Sequence, residues 1–426
     1  MHIRYIYSAC VVIATDDLRL LCDPWMTEGI YDGSWFHYPP LDDPIQAIGE
    51  VDAIYISHIH PDHYDAAFLR RYLAVYPKTR LLIGPQTPPY LAMKMKLDGF
   101  TPETHRQLSV GGTDLLIVPN QGGGGAGSEV DSALVVREKG RTVVNMNDNP
   151  FMPRQIEAIL DFCPQRKVDV ALLPYAGAGP FPQTFHFTHR EELEAAAARK
   201  RAQFLDLFRA YVQALAPKMA LPFAGKYVLG GQLSELNPFR GVPDAVELLT
   251  ESATRVLVLA DGGQATYDID TGVASACRIA PYDPAEVARY LAALGGHPYD
   301  YETEIVPQDG RPLPILPLLT AATARARGKV KVEAPYWIVF HARGQQERCF
   351  VLNIADSNPP LMEPPTFKPD QLEPRLEITI DERYLFGLLT RLYHWNNAEI
   401  GSHYRSLRVP QAYLPVIYGF LNMLQI

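Results

Sequence analysis

The chain has 426 residues, 47% of them hydrophobic and 20% charged, so two domains are expected rather than one oversized core. A formal net charge of -9 argues against a nucleic-acid partner held on a basic surface, and leaves room for a local basic pocket taking an anionic substrate. No apolar run is long enough to span a bilayer, and "MHIRYIYSACVVIATDD" lacks the organisation of a signal peptide. The five cysteines (Cys10, Cys22, Cys163, Cys277, Cys349) are dispersed without a CxxC, which predicts reduced thiols in a cytoplasmic protein.

In chain order, "IRYIYSACVVIAT", "LRLLCDP", "AIYISH", "TRLLIGP", "TDLLIVPN", "SALVVREKGRTVVNMND" and "DVALLPYAG" have the short, β-branched texture of strands. Helical spacing appears in "DAAFLRRYLAVYP", in "PRQIEAILDFCPQ" and in the long "REELEAAAARKRAQFLDLFRAYVQALAP", with Thr188 as its expected N-cap and Pro217 closing it. Strand sets with helices between them imply a layered α/β architecture. After "RVLVLADGGQATYDIDTG" the texture changes. "PYDPAEVARYLAALGG" and "LPLLTAATARARG" predict helices, "PYWIVFHA", "RCFVLNIA" and "PRLEITIDE" predict strands, and "DSNPPLMEPPTFKPDQLEP" predicts a rigid connecting loop. The boundary is placed near residue 270, giving a domain over 1–270 and a smaller α+β domain over 271–426.

The densest chemistry is "ISHIHPDHYD", Ile56 to Asp65. At a strand end, side chains two apart point the same way, so His58 and His60 lie side by side beyond the sheet edge. Pro61 turns the chain and brings Asp62 and His63 close to them at the mouth of a helix. Two imidazoles, a carboxylate and a third imidazole suit zinc or iron. A set of solvated histidines in a loop is the bland alternative, disfavoured by the strand-loop-helix context.

His58-x-His60-x-Asp62-His63 after a strand resembles the metallo-β-lactamase superfamily, which implies an αββα sandwich in the first domain. The resemblance implies that Asp23, in "LRLLCDPW", braces the metal loop. It further implies that Asp148, at which the strand in "GRTVVNMNDN" is expected to end, is the carboxylate that often bridges two metals. Hydrolytic members carry one histidine in the loop before the Asp148 strand and another late in the domain. "NQGGGGAGSEVDSALVV" and the stretch after "MALPFAGKYVLGGQ" supply neither. That would leave His58, His60 and Asp148 around one metal, and Asp62, His63 and Asp148 around the other, with His189 or His186 as replacement ligands from a nearby loop. A shell with two histidines, one carboxylate and open positions tilts the expectation to iron, with zinc as the alternative.

"DPWMTEGIYDGSWFHYPP", "AIYISHIHPDHYD", "YAGAGPFPQTF", "ARKRAQFLDLFRAYVQALAPKMALPFAG" and "LYHWNNAEIG" are similar to the CMP-N-acetylneuraminate hydroxylase group. That group also carries a Rieske module, yet none of the five cysteines here is followed by a histidine within three residues. The resemblance therefore implies an iron-dependent oxygenase of a small polar metabolite, with Asp62, His63 and Asp148 as its catalytic groups and electrons from an external donor. A metal-dependent hydrolase and a non-catalytic metal-binding scaffold stand as alternatives. The C-terminal "LEITIDERYLFGLLTRLYHWNNAEIGSHYRSLRVP" resembles sterol-carrier-like appendages that shape a cleft or build a homodimer interface.

Other features have plainer readings. Trp25, Tyr31, Trp35, Phe36 and Tyr38 form an aromatic core or lid near the metals. "QGGGGAGSE" is expected as a loop beside the site, and "RKR" at Arg199 to Arg201 as the solvated face of the long helix. His394 and His403 are expected to be structural or to belong to a pocket wall.

Overall fold

The computed structural model describes residues 1–120, 131–250, 254–307, 311–364 and 366–426. Alternation of apolar residues builds two sheets. The first has eight strands in the order Ala274–Ser275, Ala265–Asp268, His2–Tyr7, Cys10–Ala14, Arg19–Cys22, Ala53–Ile56, Arg80–Ile83 and Glu103–Thr104. The second has seven, in the order Arg255–Val256, Met219–Phe223, Val170–Pro174, Arg141–Asn145, Ser132–Glu138, Thr113–Pro119 and Gln107–Val110. Their inner faces share one apolar layer that includes Val11, Leu20, Tyr55, Ile117, Leu134 and Leu172.

Each outer face is covered by helices. Phe68, Leu69 and Tyr72 of Ala66–Val75, with Met95 of Tyr90–Leu97, pack on Ile54 and Ile56 of the first sheet. Ile156 and Ile159 of Pro153–Phe162, with Phe208 and Tyr211 of Arg190–Leu215, pack on Val135, Val144 and Ala171 of the second. The result is the αββα sandwich expected from the sequence. Burying each such Leu, Ile or Phe contributes about 1.5–3 kcal/mol, so the strands under the histidine loop sit on a rigid base.

A third sheet of five strands, Leu361–Glu363, Arg348–Asn353, Trp337–Arg343, Arg375–Asp381 and Tyr404–Val409, has its own core with the helix Ile315–Arg327 and the C-terminal helices. Several local expectations need correction. The Pro-rich stretch contains an edge strand, Leu361–Glu363, antiparallel to Arg348–Asn353. The long helix is capped by His189 in extended conformation (φ -124°, ψ 144°), not by Thr188, and no side chain bonds its first turn. Lys200 of "RKR" is not solvated: its Nζ donates to Phe181 O at 2.6 Å, and burial pulls its pKa down to about 7. Among the described residues, no helix is long and apolar enough to cross a membrane.

Candidate metal centre

Topology brings the candidate ligands to one edge. Arg19–Cys22 and Ala53–Ile56 run parallel, so Asp23 and the histidine loop both leave from carboxyl ends. Arg141–Asn145 is hydrogen-bonded antiparallel to Ser132–Glu138, with Leu134 opposite Asn145. That register sets the residue before one strand, Asp131, beside the residues after the other, which lead to Asp148. The hairpin is closed by Lys139 and Gly140, both at positive φ (49° and 76°), the pattern of a two-residue turn matched to strand twist.

The turn carrying Asp148 is locked by asparagines. Asn147 adopts a left-handed conformation (φ 41°), which its short polar side chain tolerates, and its Nδ2 donates to Ser132 O at 2.6 Å. Asn149 Nδ2 donates to Met146 O at 2.9 Å. On the other side, Asp23 accepts the Ser57 backbone N–H at 2.7 Å, and its second oxygen lies 3.2 Å from His63 Nδ1. Asp65 caps the following helix by accepting the Phe68 N–H at 2.8 Å, and also takes the Thr27 N–H at 2.7 Å. Backbone and rings are thus fixed before any ligand arrives.

His58 and His63 are buried and Asp148 is half-buried; one ligand atom from each lies within 4.8 Å of the others. His58 Nε2 faces His60 Nδ1 at 2.9 Å, a separation that needs a shared proton or a common cation. His63 Nε2 is 3.5 Å from both Asp62 Oδ2 and Asp148 Oδ1. His58 Nδ1 lies 3.8 Å from Asp148 Oδ1 and 3.7 Å from Asp131 Oδ1. The structure does not bring His189 or His186 to this group; both are exposed and line another cavity.

Burial, reinforced by His63 and His60, holds the His58 imidazole well below its ordinary pKa, so it is neutral with a free lone pair. Burial would lower His63 too, but Asp148, Asp62 and Asp23 outweigh it and raise it. Burial and the neighbouring Asp148 push Asp131 well above the carboxylate range, and burial pushes Asp148 up as well. Asp148 Oδ1 and Asp131 Oδ1 are buried without a hydrogen-bond partner among the described residues. Crowded carboxylates with orphaned oxygens beside the neutral His58 imidazole are a donor set that a multivalent cation satisfies, and such a cation would take the place of the proton that the carboxylates hold on His63. The residues fit a metal ion.

Aromatic side chains close the site. Tyr31 donates its hydroxyl to Asp62 Oδ1 at 2.5 Å, and Trp35 stacks on Tyr227 with ring centroids 3.3 Å apart. Trp35 and Tyr227 line a small cavity with Asp62, His63 and Asp148. Phe36 and Tyr38 face elsewhere, towards His297 and Tyr282. His403 donates from Nε2 to Tyr31 O at 2.7 Å, and His394 caps the helix Trp395–Ile400. Sequence reasoning missed Asp131 and Asn396, whose Oδ1 is 3.0 Å from His60 Nε2. A carboxylate opening "DSALVV", where an imidazole was sought, was the available signal for the first. The Gly-rich stretch 121–130 lies outside the described residues.

Residues 18–205 match the family model of the beta-lactamase superfamily domain, which bears out the resemblance read from the histidine motif. A Mycolicibacterium smegmatis protein named for a Rieske 2Fe-2S iron-sulfur group is 32% identical over 261 residues, covering 57% of this chain and 47% of that protein. Cytidine monophosphate-N-acetylneuraminic acid hydroxylase of Danio rerio is 27% identical over 241 residues, covering 53% of this chain and 38% of that enzyme. The chain thus spans less than half the length of these two relatives. In structure it is similar to isothiocyanate hydrolase from Delia radicum gut bacteria, with TM-score 0.42 and 16% identity, over 63% of this chain and 98% of that one.

Proposed function

We propose that this beta-lactamase superfamily domain holds iron and is an oxygenase of a small polar metabolite. The observation that carries the reading is the oxygen-rich donor set. Asp131 stands at the head of the strand that follows the histidine-free stretch, so a carboxylate occupies the neighbourhood where hydrolytic relatives were expected to offer nitrogen. His58 and His60 would hold one side of the centre, Asp62 and His63 the other, with Asp148 Oδ1 facing both. Iron bound there would supply O₂ activation, in which one O₂, two electrons and two protons yield a hydroxylated product and water.

The chain's own groups do the rest. Asp23 holds the His63 ring from behind through Nδ1, leaving Nε2 turned to the centre. Tyr31 fixes Asp62 and keeps a hydroxyl proton at its Oδ1. The Trp35–Tyr227 stack excludes water from the small cavity beside His63. Within these residues no cysteine pairs with a histidine as a Rieske centre needs, so the electrons come from a donor outside them.

The test is metal content by mass spectrometry, paired with Mössbauer spectra of iron-57-enriched protein and O₂ uptake with reductant and candidate metabolites. Bound iron with substrate-dependent O₂ uptake is expected. Two tightly bound zincs and a product hydrolysed under anaerobic conditions would establish the hydrolase reading instead. Stoichiometric metal with neither activity would leave a scaffold.

A further inference from the structure

A second cavity, of ≈ 830 Å³, lies between the segment entering the long helix and the C-terminal sheet. None of the cluster residues lines it. Its volume is that of a small-molecule site, within the usual range of about 300–1,000 Å³. Arg190, Arg343 and Arg405 line it with Glu347 and Glu377; Arg190 also pairs with Glu194 at 2.8 Å and Arg405 with Glu235 at 2.9 Å, which leaves Arg343 as the lining arginine without a carboxylate partner among the described residues. His341 adds positive charge, because it sits 3.1 Å from Glu377, and the Cys349 thiol and Glu377 push its pKa up to about 9.

The cationic groups differ in what they still have to give. Arg405 is fixed in place, with Nη1 donating to Gln183 O and Nη2 to Glu235 Oε1, both at 2.9 Å. Arg343 is exposed and its side chain has no hydrogen bond or ion pair with any described residue, so its whole guanidinium fork is free for a ligand. Phe187 and Phe239 are half-buried in the wall, and the Arg190 guanidinium lies over the Phe239 ring at 5.3 Å from its centroid. A free arginine beside a fixed one, next to partly covered rings, selects a ligand with a compact negative group and an apolar body.

We propose that this cavity is a binding site, separate from the metal centre, for a small organic anion, a carboxylate or phosphate ester attached to an apolar ring. Its charge is met by Arg343 and Arg405, and its ring by Phe187 and Phe239. The proposal goes beyond the metal-centre reading and does not depend on it.

Isothermal titration of the full chain as purified, with phenyl phosphate, phenylacetate, inorganic phosphate and phenol as probes, tests it. Saturable binding of phenyl phosphate or phenylacetate is expected, at least about tenfold tighter than that of inorganic phosphate or phenol. The stronger of the two organic probes identifies the anionic group. Arg343→Glu should weaken that probe by about tenfold or more and Arg343→Lys by less, without harm to the fold, since the side chain is exposed and unpaired. The His58→Ala/His60→Ala variant should bind it as the parent does. Absence of binding by both organic anions at about 10 mM would overturn the proposal. So would equal binding of phenol or inorganic phosphate, unchanged affinity in Arg343→Glu, or loss of binding in the histidine variant.

Discussion

His60 donates from Nε2 to Asn396 Oδ1 at 3.0 Å, and this bond turns its other nitrogen, Nδ1, to His58 Nε2 at 2.9 Å. An amide oxygen only accepts, so it fixes the tautomer and frees the Nδ1 lone pair for the centre. Asn396 is itself set by the helix Trp395–Ile400, where its backbone N–H donates to His394 Nδ1 at 3.2 Å. Two further tethers arrive from the same region: His403 to Tyr31 O, and the Tyr384 hydroxyl to Asp32 Oδ2 at 2.5 Å. The C-terminal sheet region therefore takes part in shaping the metal loop.

Asn396→Ala should lower metal affinity by about 10–100-fold, the usual cost of losing a partner that orients a ligating histidine. Asn396→Asp, which still accepts the same proton, should keep affinity near that of the parent. Competition with a chromophoric chelator measures both, and parental affinity in the alanine variant would reduce the contact to simple packing.

His58→Ala together with His60→Ala should abolish metal binding. The strand beneath them keeps Ile54 and Ile56 in the outer core, so circular dichroism should change little. Full metal content in that variant would remove the cluster from consideration.

Asp148→Asn preserves volume but removes the negative charge placed 3.5 Å from His63 Nε2 and 3.8 Å from His58 Nδ1. One metal should be lost, or affinity should fall sharply. Asp131→Asn, which touches only the His58 side at 3.7 Å, should cost less. If neither substitution alters stoichiometry or activity, both aspartates are turn residues.

His341 gives a pH test far from the metal centre. Its pKa in the fold is about 9 against an ordinary 6.5, raised by the Cys349 thiol and by Glu377. A raised histidine contributes fully below 6.5, and its contribution is lost as pH climbs through about 9. Glu377 is burdened by burial, but His341 and Arg375 outweigh that and lower it, so its own contribution disappears only in acid. Urea unfolding at about pH 6 and about pH 10 should show the parent losing on the order of 1–3 kcal/mol more than His341→Gln. Parallel losses would mean that the pair is worth nothing.

What the sequence revealed follows from how local each signal is. The histidine loop was legible because its four polar side chains lie within six positions after an apolar strand, although the strand ends at Ile56 and His58 and His60 are aligned by the loop and its contacts rather than by strand geometry. The central strands of both sheets were legible from their β-branched runs, whereas Met219–Phe223, Gln107–Val110 and Ala265–Asp268 were not read as strands. Asp131 was not, because a carboxylate before a strand has no local mark, and only the pairing of Leu134 with Asn145 brings it to the site. Lys200 was misread because a charge run on a helix gives no sign that a loop covers one member of it. Leu361–Glu363 was hidden by its prolines, which an edge strand tolerates.

The bond between His60 and Asn396 joins positions 336 residues apart, which has a consequence during synthesis. A ribosome adding about 5–20 residues per second leaves an interval of roughly 17–70 s between making the two. Throughout it, the His60 ring can offer either nitrogen to any cation that arrives. The arrival of Asn396 adds the acceptor that favours a proton on Nε2, so the nascent chain owns its histidines before it owns its centre. Tight metal retention thereby becomes a mark of a finished molecule. A protease nick between 391 and 403 should weaken metal retention at least as much as Asn396→Ala does, in a protein in which every histidine and aspartate of the cluster is still present.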